Sequence, residues 1–146
     1  MLVHLNIGSN RGDRRAHLER AVALIQQQLQ PVSCRCSETV VSAPWGYDSP
    51  NHYLNMGVDI EMPLPIEPET LLDRLQAIER SVSRIPHRNP DGSYRDRDID
   101  IDIILIDNLH IDTGRLQVPH PRMLQREFVM QPLRSLRPHQ DLSEII

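Results

Sequence analysis

The sequence predicts an α+β fold, an antiparallel sheet packed against helices. Three observations carry that expectation. Apolar residues recur at helical spacing in two segments, 13–30 and 69–82. Four other segments read as strands, the clearest with a strict period of two. The two patterns follow one another in the order β-α-β-β-α-β. At 146 residues the chain is expected to form one domain spanning 1–146 around a single core.

Residues 2–7 alternate weakly and read as the first strand. Gly8-Ser9-Asn10-Arg11-Gly12 is a turn, and Asp13 an N-cap for a helix running to residue 30. Leu18, Ala21, Val22, Ile25 and Leu29 mark its buried stripe, and Pro31 stops it. Residues 32–42 read as a second strand, followed by a loop over 43–51 with Pro44, Gly46 and Pro50. Residues 53–62 read as a third strand, paired antiparallel with the second. After a linker over 63–68, Leu71, Leu72, Leu75, Ile78 and Val82 share one face of a helix over 69–82. Residues 84–97 form a polar loop, and 98–106 the most strongly patterned strand. Then come a turn at Asp107-Asn108, a short return over 109–111, and a break at Val118-Pro119-His120-Pro121. Helical turns are expected from Arg122 and around Leu133. This order is that of a ferredoxin-like sandwich, with helices expected on one face of the sheet. By itself the order says nothing about function.

Composition excludes several function classes. A net charge of −4 gives no basic footprint for nucleic acid. The longest apolar runs are far too short to span a membrane. The N-terminus shows no basic leader, so a cytoplasmic location is expected. Cys34 and Cys36 form a C-x-C pair, too few thiols for structural zinc, and read as two buried thiols. All 16 basic residues are arginine. A Walker lysine, a Schiff-base lysine and a lysine general base are therefore all absent. Phosphate recognition falls to Arg, His, backbone N–H groups or a metal, and the Arg fork suits it.

The sharpest chemical signal is Asp98-Ile99-Asp100-Ile101-Asp102-Ile103-Ile104. The isoleucines face one side and the three aspartates the other. Aspartate is disfavoured in strands and like charges repel, so the segment contradicts its own propensity, as functional sites tend to. Same-face residues lie about 7 Å apart, a spacing at which two carboxylates converge on paired Mg²⁺ ions. The competing reading is a solvated polar face on an edge strand. An EF-hand is excluded, because its glycine and glutamate positions hold Ile103 and Leu109. Arg84, His87, Arg88, Arg95 and Arg97 precede the strand and suit a metal-bridged triphosphate, or else are scattered surface charge. Trp45, Tyr47 and Tyr53 cluster within nine residues, with Asn55 on the same side as Tyr53. They offer a stacking face and an amide for a flat heterocycle, although Tyr47 reads more readily as core. Phe128 is a second candidate wall.

Taken in order, five pieces resemble one known family. They are Leu5-Asn6-Ile7-Gly8-Ser9-Asn10; Ser42-Ala43-Pro44-Trp45-Gly46 with Tyr53-Leu54-Asn55; Arg97 with Asp100-Ile101-Asp102-Ile103; Val118-Pro119-His120-Pro121; and Arg126-Glu127-Phe128-Val129. Together they are similar to 6-hydroxymethyl-7,8-dihydropterin pyrophosphokinase. The resemblance implies that Asp100 and Asp102 bind two Mg²⁺ ions. It implies a pterin pocket of Ser42, Pro44, Trp45, Gly46, Tyr53, Asn55 and Phe128, with Tyr53 and Phe128 sandwiching the ring. It implies ATP contacts at Gln76, Glu79, Arg84, Tyr94, Arg97, Ile103, Arg115, His120 and Arg126. Arg84 and Arg97 would act with the two aspartates in catalysis. The implied reaction moves the β,γ-pyrophosphoryl group of ATP to the pterin hydroxymethyl and releases AMP. Asp100 or Asp102 is also placed to orient the attacking hydroxyl. The implied partners are these two small molecules, and a monomer is expected. The sequence departs from the family where Tyr94-Arg95-Asp96-Arg97 replaces a Trp-Gly-Pro-Arg run and where Ser83 replaces a glycine. A nucleotidyltransferase fits less well, because Gly8-Ser9 lies about ninety residues before Asp100. A non-catalytic binding domain would not need aspartates on a strand face.

Overall fold

The computed structural model describes residues 1–83 and 86–146. Its strands are β1 (Leu2–Ser9), β2 (Ser33–Cys36), β3 (Val40–Ser42), β4 (Tyr53–Glu61), β5 (Asp100–Ile106), β6 (Ile111–Asp112) and β7 (Gln117–Val118). Its α-helices are α1 (Arg14–Leu29), α2 (Pro68–Val82) and α3 (Glu127–Leu136). The main sheet runs β2-β4-β1-β5, with β3 also on β4, and all its pairings are antiparallel. With β2 and β3 taken as one interrupted strand, this is the ferredoxin-like arrangement expected. Beside it β6 and β7 form a small ribbon. Among the described residues, no helix is long and apolar enough to cross a membrane.

The helix ends obey local chemistry. The Asp13 carboxylate accepts from the Ala16 N–H at 3.1 Å, capping α1, and Gln30 ends it in a left-handed conformation. Glu67 caps α2 in the same way through the Thr70 N–H, with Pro68 in the first turn.

Two expected strands change shape. The segment over 32–42 is two strands, because Ser37 interrupts it. Its N–H donates to Gly57 O at 2.9 Å and its hydroxyl accepts from Gly57 N at 2.9 Å. Cys36 pairs with Val58 and Val40 with Asn55, so three residues oppose two and the strand bulges. The last strand begins at Asp100 rather than Asp98. The Ser83 hydroxyl holds the Asp98 carboxylate at 2.8 Å, so two aspartates, not three, share the strand face.

The thiols differ from expectation as well. Cys34 is half-buried and Cys36 exposed, both free, because β2 is an outer strand with little helix cover.

Both faces of the sheet are covered, not one. Val3, Leu5 and Ile7 of β1 and Ile101, Ile103 and Ile106 of β5 pack under α1 and α2. Ile104 and Leu105 turn to the other face and pack with Val129, Met130 and Leu133 of α3. The switch is a bulge. His4 pairs with Leu105 and Leu5 with Ile103, leaving Ile104 extra. The second face is therefore apolar beneath α3 and polar on the other side of the bulge, where Asp100 and Asp102 stand.

Beneath α3, Asp59 is buried between His4 (2.8 Å) and Arg137 (2.9 and 3.0 Å). Burial alone would raise this carboxyl. Hydrogen bonds from His4 and Arg137 overrule it and hold it at about 2. A lowered folded value adds stability that is complete above the ordinary carboxyl range and lost as pH falls toward 2. Asp59→Asn should therefore destabilise the fold by about 3 kcal/mol at neutral pH, since it strands a buried guanidinium. Urea unfolding at pH 7 and pH 3 checks this. The gap between variant and parent should narrow at pH 3, and an equal gap at both would contradict it.

Candidate active site

The polar half of the second sheet face is built from three neighbouring strands. Across them, Asn55, Gly8 and Asp100 form one row, and Gly57, Asn6 and Asp102 the next. Gly8 leaves little room for a side chain there. A Cβ at that position would lie 3.0 Å from Asn55 Oδ1 and 3.2 Å from the Tyr53 ring. The Asn55 amide NH₂ donates to Val40 O at 3.1 Å and to the Ser42 hydroxyl at 2.8 Å, which commits both donors and turns the side-chain carbonyl oxygen to acceptor use at a ligand edge.

A cavity of about 320 Å³ opens over this face. Its wall includes Ser42, Trp45, Tyr53, Asn55, Tyr94, Arg97, Asp100, Asp102, His120, Arg126 and Phe128, all expected from the sequence. A second cavity of about 490 Å³ lies beside it, lined by Leu72, Ile103, Arg115, Leu116 and Gln117 among others. The two share Asp102, His120 and Pro121. Of the remaining expected residues, Pro44, Gly46, Gln76 and Glu79 line neither cavity. Gly46 abuts the Tyr94 ring, and Glu79 accepts from the Ile101 N–H at 2.8 Å on the edge of β5. Arg84 lies outside the described residues. Asn6, Gly8, Ala43, Pro121 and Arg122 also line the first cavity without having been expected there; so do Tyr47, which read more readily as core, and Arg88, one of the cations suited to a triphosphate. Asn6 could have been found, because it shares a strand face with Gly8 just before the Gly-Ser-Asn turn.

The charges are arranged around the aspartates. Arg97 pairs with Asp100 at 3.0 Å. Arg126 lies over Trp45 (4.9 Å) and Phe128 (5.7 Å), with its Nε buried and without a partner among the described residues. Burial lowers the Arg126 pKa, against the pull of Asp102. Burial, then the neighbouring Asp100, pushes Asp102 up to about 7. The same two causes raise Glu79 to about 8. His120 is driven down to about 4, by burial first and then by Arg126. Its Nδ1 accepts from the Arg122 N–H at 3.2 Å, so the neutral ring carries its proton on Nε2.

Mg²⁺ prefers hard oxygen donors. Asp100, Asp102 and the buried Asn6 Oδ1, which has no partner among the described residues, supply such oxygens on adjoining strands, so the residues fit that ion. Glu79, His87 and Asp100 also bring one donor atom each within 4.8 Å of one another. That group contains an imidazole, which suits borderline transition metals better than Mg²⁺.

The model of the family described as 7,8-dihydro-6-hydroxymethylpterin-pyrophosphokinase matches residues 4–138. The chain belongs to that family. It is 38% identical over 138 residues to the 2-amino-4-hydroxy-6-hydroxymethyldihydropteridine pyrophosphokinase of Porphyromonas gingivalis, covering 94% of this chain and 91% of the relative. It is 36% identical over 132 residues to the enzyme of the same name from Bacillus subtilis, covering 90% of this chain and 75% of that one. Its fold is also similar to a crystal structure of an HPPK-DHPS in complex with substrates. There the TM-score is 0.68 at 12% identity, covering 98% of this chain and 41% of that one. Of the positions where this chain departs from the pyrophosphokinase family pattern, Tyr94 lines the first cavity, whereas Ser83 holds the Asp98 carboxylate.

With its pKa near 4, His120 should stay neutral across the physiological range, as the Nε2–H tautomer. Long-range ¹H–¹⁵N NMR should show no imidazole titration between pH 5 and 8. A midpoint near 6.5 would contradict the burial argument.

Proposed function

We propose that this chain transfers the β,γ-pyrophosphoryl group of ATP to 6-hydroxymethyl-7,8-dihydropterin, giving AMP and the pterin diphosphate of folate biosynthesis. The observation that carries the reading is the junction of two cavities at Asp102 and His120. A transfer between two substrates needs two subsites that meet where bonds change. Family membership and the names of the relatives support the same reaction.

The aromatic cavity takes the pterin. Tyr53 and Phe128 supply stacking faces, Trp45 closes one side, and Asn55 with Ser42 reads the ring edge. ATP takes the neighbouring cavity, its base toward Leu72 and Ile103 and its phosphates toward the junction. Arg97 and Arg126 meet phosphate charge there, and the His120 Nε2–H donates to a phosphate oxygen. Asp100 and Asp102 would hold Mg²⁺, which supplies charge neutralisation and alignment of the triphosphate when bound. His87 and Glu79 are a less suitable Mg²⁺ pair because of the imidazole.

The step balances simply. The hydroxymethyl oxygen bonds to the β-phosphorus, the bridge to the α-phosphate breaks, AMP leaves, and the hydroxyl proton passes to solvent or to a carboxylate. The all-arginine basic set fits this reading, because positioning and charge do the work and no lysine chemistry is involved. The reading takes residues 1–146 as one domain acting as a monomer in the cytoplasm.

Incubation with ATP, Mg²⁺ and the pterin, followed by nucleotide separation, tests the proposal. AMP should form only when the pterin is present. Asp102→Ala should slow it by about a hundredfold or more while the protein stays folded. Formation of ADP, or no turnover by folded protein, would overturn the reading in favour of another phosphotransferase or a binding domain.

A further inference from the structure

Two loops from distant parts of the chain wall the aromatic cavity, and a single carboxylate joins them. Asp96 Oδ1 accepts from Asn10 Nδ2 at 2.9 Å and from the Tyr47 hydroxyl at 3.0 Å. Its Oδ2 accepts from the Ser49 hydroxyl at 3.1 Å and from Asn51 Nδ2 at 2.6 Å. A carboxylate has about four acceptor sites, and a donor lies on each. Tyr47, Ser49 and Asn51 belong to the loop between β3 and β4. Asp96 belongs to the loop before β5, and Asn10 directly follows β1.

Asn10 completes the clasp from below. Its Oδ1 takes the Arg97 N–H at 2.7 Å, and its own N–H donates to Arg97 O at 3.1 Å. Above it the Tyr47 and Tyr94 rings stack at 6.2 Å, and the Arg88 guanidinium lies over Tyr94 at 4.2 Å. Asp96 itself lines neither cavity, whereas Tyr47, Tyr94 and Arg97 line the first. Its effect on substrate must therefore pass through them.

We propose that Asp96 is a positioning residue that clasps the two loops to each other, so that Trp45, Tyr47, Tyr94 and Arg97 are held as one wall of the pocket. Binding then loses less entropy than it would with two separate loops. The substrate arm of this inference rests on the pyrophosphokinase reading, but the clasp does not. The clasp depends on an acceptor-only group. Asparagine has the same shape but presents an NH₂ where two of the donors now point.

Trp45 is the only tryptophan and lies on the clasped loop, so its fluorescence reports the clasp directly. Acrylamide quenching and steady-state kinetics would be measured on the parent, Asp96→Asn, Asp96→Ala and Tyr47→Phe, each first checked for an intact thermal transition. Trp45 is already 38% exposed, so without ligand both Asp96 variants should raise its quenching above the parent's, and saturating pterin should lower it again. The KM for pterin should rise about tenfold, the scale of one lost charge-assisted hydrogen bond, with kcat within about threefold of the parent. Tyr47→Phe removes one donor and should shift both readouts in the same direction by less. Unchanged quenching in folded Asp96 variants would overturn the clasp, as would a fall in kcat at constant KM. If either Asp96 variant failed to fold, Tyr47→Phe would decide by the same criteria. Because quenching needs no turnover, failure of the clasp remains distinguishable from failure of the functional reading.

Discussion

Asp100 and Asp102 stand two residues apart on one face of β5, and the repulsion between them organises the surrounding chain. Left exposed, the pair would cost little and do little. Here they are half-buried, and burial with mutual repulsion pushes Asp102 to about 7. The isoleucines between and beside them lock the opposite face under α1 and α2, so the strand cannot rotate the charges into solvent. The bulge at Ile104 then returns the rest of that face to an apolar role beneath α3. One extra residue thus separates a chemical half-face from a structural one. The structural half has its own charge, Asp59, but surrounds it with His4, Arg137 and, at 3.4 Å, Arg35, and so pulls it down where Asp102 is pushed up.

Around the aspartates the chain supplies cations in graded states of commitment. Arg97 is already paired with Asp100, while Arg126 rests on aromatic rings with a buried nitrogen unpartnered among the described residues. His120 is kept neutral and keeps a single donor. This mixture suits a polyanion that must be held, aligned and partly released. A uniformly paired site would have no reason to change partners.

Much of this was legible in the sequence because it follows short-range rules. The period of two in residues 99–104 placed the aspartates opposite the isoleucines, and the Asp13 cap placed α1. Side chains acting across long sequence separations were not legible. Ser83 removes Asp98 from the strand face, and Ser37 breaks the second strand by bonding Gly57. Tyr47 read as core because a ring's burial shows in composition, whereas its hydroxyl contact with Asp96 spans 49 residues. The cysteines read as buried because strand position within a sheet is a topological property, and β2 proves to be an outer strand. Likewise α3 could be placed in the chain but not assigned to a sheet face, since its position follows from the bulge. The resemblance to the pyrophosphokinases added what spacing could not, the pairing of an aromatic pocket with a phosphate site.

The most direct test of the account is a crystal structure with Mn²⁺, a non-hydrolysable ATP analogue and 6-hydroxymethylpterin, the metal located by its anomalous signal. The account predicts metal density on both Asp100 and Asp102, the pterin between Tyr53 and Phe128, and the nucleotide base in the cavity of Ile103 and Arg115. Metal on Glu79, His87 and Asp100 with Asp102 unengaged, or the nucleotide base stacked in the aromatic cavity, would contradict it.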